Sequence, residues 1–109
     1  MTAKHPDQTA ERPIACALLG REFQERKAAI TAELLAHVEE TRELEDGFAY
    51  RFPSDEPWPA RVFAFVEAER ACCPFFRFEV VVEPDGGPLW LTLRGGEGVK
   101  AFIAGELGL

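Results

Sequence analysis

The chain has 109 residues, of which 47% are hydrophobic and 28% are charged, and its formal net charge is -7. This composition is too apolar for a disordered chain and too charged for a membrane protein. An acidic chain without a cluster of Lys and Arg disfavours binding to nucleic acids and to anionic membranes. No run approaches the roughly 20 apolar residues that a membrane span needs.

The first 13 residues differ from the rest of the chain. Residues 1–13 are polar, contain two prolines and show no hydrophobic periodicity, which predicts a flexible tail. This segment also lacks the apolar core of a signal peptide, so we expect a cytoplasmic protein. Residues 14–109 are expected to fold as a single domain, because about 100 residues is an ordinary domain size.

A first helix is predicted from about Gly20 to Glu43. Apolar residues between Phe23 and Val38 recur on one face at helical spacing. Charged residues, Lys27 among them, are expected to form the solvent face. We expect the helix to decay in the acidic run that follows and the turn at Gly47 to end it.

The rest of the chain predicts three strands and two helices. They are a strand at Phe48–Phe52, a helix from about Pro57 to Cys72 or Cys73 with Ser54 or Asp55 as its cap, strands at Phe76–Glu83 and Leu89–Arg94, and a short helix that begins near Val99.

The α-β-α-β-β-α order predicts an α+β two-layer sandwich. We expect a small mixed three-stranded sheet with the helices packed on one face. The first two strands would form a right-handed β-α-β unit if they are parallel neighbours. Trp90 lies on the other face and the sheet has exposed edges. These features suggest a homodimer, formed by pairing with a second copy of the chain.

The chain has three cysteines, Cys16, Cys72 and Cys73. An odd number, two of them adjacent, is not a secreted disulfide framework. Vicinal thiols bind soft metals such as zinc, mercury or arsenite. A thiolate from Cys16 would complete a set of three, and Glu69, three and four residues before the pair, adds a carboxylate on the same part of the helix. His37 is a further candidate donor.

Other interpretations of these residues stay open. A free cysteine is commonly a small buried hydrophobe, so an alternative role for the pair at the helix end is packing alone. Adjacent residues on a regular helix diverge by about 100°, and the two sulfur atoms converge only if Pro74 distorts the last turn. A carboxylate on an apolar stripe commonly pairs with a buried Arg, for which Arg21 and Arg26 are the candidates for Glu69.

Electrostatics favours a metal over a nucleophile at this helix end. The helix C-terminus and Glu69 both carry negative charge, which disfavours a thiolate and attracts a cation. Cys16 is the exception, because it precedes a helix whose N-terminal dipole would assist its thiolate.

Parts of the sequence resemble an uncharacterised family of small bacterial proteins. The most specific part is the Glu-Arg-x-Cys-Cys-Pro-Phe motif at residues 69–75, and the position of Cys16 also fits. The resemblance covers about residues 14–107 and includes Gly47–Phe52 and the hairpin before Leu91–Leu93. It implies an association with loci for mercury and other heavy-metal resistance, and it implies no reaction. The chain departs from the family pattern at Gly20, where a Ser or Thr helix cap is expected.

Three hypotheses follow for the function. The first is a cytoplasmic soft-metal-binding or metal-sensing accessory protein that uses Cys16, Cys72 and Cys73 as ligands of zinc or mercury, with Glu69 as a weak or outer ligand. The second is a small thiol-dependent enzyme, a reductase or transferase, that uses Cys16 or Cys73. The third is a structural dimerisation module whose cysteines are only packed. None of them includes a nucleic-acid or membrane partner.

Overall fold

The computed structural model describes residues 20–107. The predicted tail and Cys16 lie outside the described residues, as do residues 108–109. The elements in chain order are α1 (Arg21–Leu35), β1 (Glu40–Leu44), β2 (Gly47–Phe52), α2 (Trp58–Cys72), β3 (Arg77–Val82), β4 (Leu89–Arg94) and α3 (Val99–Leu107). The α+β class is confirmed, and the order is α-β-β-α-β-β-α.

The sheet has four strands in the order β1-β2-β4-β3, and all of its ladders are antiparallel. The predicted mixed three-stranded sheet was therefore wrong. β2 and β3 are not neighbours, because the hairpin after β3 returns β4 into the space between them. β4 is the strand best suited to this central position, since Leu89, Leu91 and Leu93 are at most 1% exposed.

The predicted extension of the first helix to Glu43 was also wrong. α1 ends at Leu35, and β1 pairs with β2 from Glu40↔Arg51 to Leu44↔Gly47, with only two residues in the connecting turn. β1 reads Glu-Thr-Arg-Glu-Leu, so both of its faces carry polar side chains and no alternation marks it as a strand. Backbone pairing with β2 forms this strand, and apolar burial does not.

The start of α2 also differs from its prediction. The residue before the helix is Pro57, and no side chain caps it. The hydroxyl of Ser54 donates instead to the carbonyl of Gly86, at 3.1 Å, and only the backbone carbonyl of Asp55 accepts from Trp58 N–H. The segment before α2 is therefore tied to the β3–β4 hairpin.

The inner face of the sheet forms the core together with the helices. Tyr50 and Phe52 of β2 lie opposite Leu91 and Leu89 of β4, and these side chains are almost fully buried. The Tyr50 hydroxyl is buried and has no hydrogen-bond partner among the described residues. Loss of hydration therefore raises the pKa of Tyr50 to about 12.

The opposite, outer face of the sheet carries a set of exposed and half-exposed ion pairs around Trp90. We call this set the outer-face network. The guanidinium of Arg42 lies 4.3 Å from the centroid of the Trp90 ring. The ion pairs are Arg42–Glu40, Arg51–Glu39, Arg51–Glu40, Arg77–Glu79, Arg94–Asp46 and Arg94–Glu79, with N···O distances of 2.9–3.3 Å.

Gly47 allows β2 and β4 to approach closely beside this network. A Cβ at Gly47 would lie 1.9 Å from the backbone carbonyl oxygen of Leu93. No side chain fits there without moving the backbone of β4, so the register of the two central strands depends on this glycine.

Candidate functional site

The two adjacent cysteines lie where α2 ends. Cys73 N–H donates to the carbonyl of Glu69 at 2.6 Å, which closes the last turn. Cys73 itself has left helical geometry, with φ -126° and ψ 75°. The ring of the following Pro74 disfavours the helical conformation at this residue. The last turn of α2 is therefore distorted at Cys73, as the sequence analysis required for the two thiols to converge.

The thiols and the nearby carboxylate are closed off from solvent. Cys72 is 2% exposed, and Cys73 and Glu69 are 0% exposed. Both cysteines are thiols and belong to the same core cluster. The side chain of Cys73 forms a hydrogen bond with the Glu69 carboxylate. A reagent or an ion can therefore reach the sulfur atoms only when this part of the fold opens.

Lys27 supplies the counter-charge of Glu69. Its Nζ lies 3.2 Å from Oε1 of Glu69, and Lys27 is only 9% exposed. The expectation of an ion pair for Glu69 is thus confirmed in kind, but its predicted partners were wrong because Arg21 and Arg26 are exposed. This pair links α1 to α2 inside the core, and we call it the buried ion pair.

The sequence does contain a signal for Lys27. The apolar stripe of α1 includes Phe23, Ile30 and Leu34, and position 27 falls four residues after the first and three before the second. Lys27 therefore lies on the stripe, although the prediction placed it on the solvent face. Glu69 has the same relation to Phe65 and Cys72 on α2. Two helices that each carry one charge on an apolar stripe, with opposite signs, are suited to pair through those charges.

Burial and pairing act in opposite directions on this pair. Loss of hydration raises the pKa of Glu69, and the nearby carboxylate of Glu106 adds to this rise, whereas Lys27 and the hydrogen bond from Cys73 lower it; the net direction is upward. For Lys27, burial lowers the pKa, but Glu69 and both cysteines raise it by more. The ammonium is thus held in its charged form next to a carboxylate that is harder to ionise than usual.

Lys27 also changes the electrostatics that the sequence predicts for the thiols. Both cysteines act on Lys27 and raise its pKa, so the buried ammonium interacts with this end of α2. A cation next to a thiol stabilises the thiolate form. The sequence favoured a net negative environment, with Arg70 and Arg77 compensating only partly; the buried Lys27 is a cation that this expectation left out.

Aromatic side chains connect the site to α3. Phe75 and Phe76 follow the cysteines and meet edge to face, with ring centroids 4.9 Å apart. Phe102 of α3 lies 5.2 Å from Phe75 and 6.0 Å from Phe76. Because Glu106 of the same helix interacts with Glu69, α3 lies next to both the aromatic cluster and the carboxylate.

The described residues include two of the three predicted thiolate ligands. Cys72, Cys73 and Glu69 lie at one end of α2, whereas Cys16 falls outside residues 20–107. Within those residues no group of three or more His, Cys, Asp or Glu side chains is arranged to hold a metal ion. His37 packs its ring on Trp58, with centroids 4.2 Å apart, and its Nδ1 is 3.0 Å from the carbonyl oxygen of Glu33.

The helices in the described part of the chain are too short or too polar to cross a membrane. Comparison with protein-family models, with curated proteins and with solved structures gives no match.

Proposed function

We propose that this protein binds a soft metal ion through cysteine thiolates and acts as a cytoplasmic metal-binding or metal-sensing accessory protein. One observation carries the proposal: Cys72 and Cys73 are adjacent and buried at a distorted helix end, beside the buried ion pair of Lys27 and Glu69. The same site includes the Glu69 carboxylate. Cys16 is proposed as the third thiolate.

The donor set favours mercury over zinc. Structural zinc sites take four ligands, whereas the candidate ligands among the described residues are the two adjacent cysteines, since the Glu69 carboxylate is already paired with Lys27. Soft thiolates select soft ions, and mercuric ion is softer than zinc. A site with two or three sulfur donors and a closed apolar wall therefore suits mercuric ion.

Lys27 and Glu69 have distinct roles in this proposal. Metal binding requires both thiols to lose their protons, and the divalent ion then neutralises the two thiolates. Before the ion is bound, the Lys27 ammonium, which is paired with Glu69, offsets part of their charge. Glu69 accepts the hydrogen bond from the Cys73 side chain and so orients this thiol before it binds. Both residues are positioning residues, and the sulfur atoms are the ligands.

Native mass spectrometry of the reduced full chain tests the proposal. One equivalent of mercuric ion is added in the presence of one equivalent of glutathione, so that only a site tighter than a free thiol retains the metal. We expect one mercury per chain. Cys72→Ser and Cys73→Ser are each expected to lose it, and Cys16→Ser to weaken retention. Glu67→Gln, at an exposed carboxylate on the same helix, is the matched control and should retain it.

The same experiment has clear contrary outcomes. A parent chain that stays metal-free overturns the proposal. Retention by the parent and equally by all three cysteine variants also overturns it, because the metal then lies elsewhere. Circular dichroism of each variant shows whether its fold is intact. Zinc is added in a parallel experiment, and a parent chain that retains zinc in preference to mercury contradicts the order of affinities argued above.

A thiol-dependent enzyme is the second candidate, and Lys27 is the observation that favours it. A cation beside a cysteine favours the thiolate, which is the nucleophilic form, over the thiol. The pH dependence of alkylation rate distinguishes the two functions: a single fast thiol, slowed by Lys27→Met, indicates an enzyme. Uniformly slow alkylation of both cysteines, together with metal retention, indicates the metal-binding function.

A further inference from the structure

The two edges of the sheet differ in how they are protected. β1, at one edge, carries Glu40, Arg42 and Glu43 among its five residues, and such charges oppose pairing with another strand. β3, at the other edge, reads Arg-Phe-Glu-Val-Val-Val, and Val81 and Val82 are 44% and 56% exposed. Within residues 20–107, β3 pairs with β4 alone. We propose that β3 pairs antiparallel with β3 of a second copy of the chain. This pairing joins the two four-stranded sheets into one sheet of eight strands.

The backbone of β3 determines which of its residues can form the new ladder. Glu83 N–H donates to the carbonyl of Pro88, 3.1 Å away, so the polar backbone groups of Glu83 point toward β4. Backbone groups alternate in direction along an antiparallel strand. Those of Phe78, Val80 and Val82 therefore point away from β4, toward the open edge.

Charge and the length of overlap together select one register among those that this backbone allows. A pair centred on Phe78 would also place Arg77 opposite Glu79, but it would join only residues 77–79 of the two strands. In a two-fold pair centred on Val80, Phe78 lies opposite Val82 of the second copy, and both of these pairs are hydrogen-bonded. Arg77 then lies opposite Glu83 of the second copy, twice by symmetry. A pair centred on Glu79 would place Glu79 opposite itself, and one centred on Val81 would place Glu79 opposite Glu83. Like charges directly opposite each other are destabilising, so these two registers are disfavoured.

The register centred on Val80 also keeps the two faces of the sheet continuous. In this register the numbers of two opposite residues add up to 160, so even-numbered residues face even-numbered ones and odd-numbered residues face odd-numbered ones. Because the even-numbered residues of β3 lie on the inner face, inner-face side chains meet inner-face side chains across the new ladder. Phe78 and Val80, which are only partly covered within one chain, would gain apolar neighbours from the second copy. Val81, exposed on the outer face, would lie opposite Glu79 and cover its stem.

Charge reversal tests the interface and its register. Light scattering after size-exclusion chromatography is expected to give twice the chain mass for the full-length parent. Arg77→Glu and Glu83→Arg each place like charges opposite each other at two symmetric positions, and each should weaken association on the order of tenfold or more. The double variant Arg77→Glu with Glu83→Arg restores opposite charges and should restore the dimer. Thr41→Lys, on the edge of β1, is the matched control and should leave the dimer unchanged.

A crosslink measures the register directly. Val80→Cys places two thiols on the two-fold axis, so mild oxidation should join the chains, while the parent and Thr41→Cys should stay uncrosslinked. A parent chain that is monomeric up to high micromolar concentration overturns the proposal. This holds whether the β3 edge is then open or covered by residues outside 20–107. A dimer that dissociates with Thr41→Lys, or that the charge-swapped variant does not recover, overturns it as well. Circular dichroism confirms that each single variant is folded.

Discussion

The buried ion pair and the outer-face network use the same chemical groups in different surroundings. Lys27 and Glu69 are 10% and 0% exposed at their side chains, and each has one charged partner across the helix interface. In the outer-face network, side chains such as Arg42 and Arg77 are 61% and 74% exposed. Water solvates the exposed charges whether or not they are paired, but it does not reach Glu69 and reaches Lys27 only at a small part of its side chain.

The number of ion pairs in a region therefore says little about what they contribute to stability. Exposed pairs each contribute roughly 0–1 kcal/mol, because water already stabilises both ions. A buried pair has a large penalty for loss of hydration, so removing one partner leaves a charge that nothing compensates. We therefore expect the helix pairing of α1 and α2 to depend on the buried ion pair, while the outer-face network tunes solubility and strand register.

The largest effect is expected from Lys27→Ala. This change leaves Glu69 buried without a cation, and we expect a loss of about 3 kcal/mol in the free energy of unfolding, measured by urea denaturation. The double variant Lys27→Met with Glu69→Leu removes both charges and keeps most of the volume. The double variant should recover most of the lost free energy of unfolding. A double variant that is less stable than Lys27→Ala would contradict the view that an uncompensated buried charge causes the loss.

Burial of the cysteines gives the next largest effect. In the Cys16→Ser background, alkylation of Cys72 and Cys73 should be slower in the folded protein than in urea, by on the order of a hundredfold or more, because reaction requires local opening. Mass spectrometry of the alkylated chain over time measures both rates. Rates in the folded protein close to those in urea would mean that the end of α2 is open to solvent, unlike the site described above.

A smaller effect is expected from pH, and its sign follows from Glu69. Its pKa is raised in the folded protein, chiefly by burial, so its contribution to stability is fully present below the unfolded value of about 4.5 and is lost as pH rises through the folded value. The free energy of unfolding of the parent relative to Glu69→Gln should therefore fall as pH rises from about 4.5. The opposite slope would mean that Lys27 outweighs burial. The raised pKa of Lys27 acts only above about 10.5, where its stabilising contribution is lost.

The smallest effect is expected on the outer face. Glu40→Gln removes the ion pairs with Arg42 and Arg51, yet we expect less than about 0.5 kcal/mol in the free energy of unfolding, since Arg42 is exposed and Glu40 and Arg51 are still about a third exposed to water. Even that effect should vanish in concentrated salt, whereas the loss from Lys27→Ala should persist. A large, salt-independent effect of Glu40→Gln would remove the contrast between the two regions.

The sequence predicts best those elements whose side chains alternate or repeat with burial. β2, β3, β4 and α2 were located to within one or two residues, because one face of each is apolar. β1 was missed because backbone pairing and not burial forms it. The order of strands was missed for a related reason: hydrophobic patterns report which face of a strand is buried, but not which strand lies beside it.

The candidate site was predicted in part. Glu69 and the two cysteines stand out in the sequence because a carboxylate on an apolar stripe, followed by two thiols and a proline, is an unusual combination. Lys27 was assigned to solvent although its spacing from Phe23 and Ile30 places it on the stripe. That assignment rested on Lys being a charged residue, whereas its position on the apolar stripe was the better guide. Its partner could not be predicted, because only the contact between the two helices shows which opposite charges meet.

The lone tyrosine of the chain provides an internal reporter of opening. Tyr50 is the single tyrosine among 109 residues, and its pKa is about 12 against 10.0 for an ordinary phenol. Between these two pH values, a chain whose sheet has opened carries a phenolate, whereas a closed chain carries a phenol. The ultraviolet absorbance of phenolate after a jump into this range would therefore record, without any label, how often the centre of the sheet meets water.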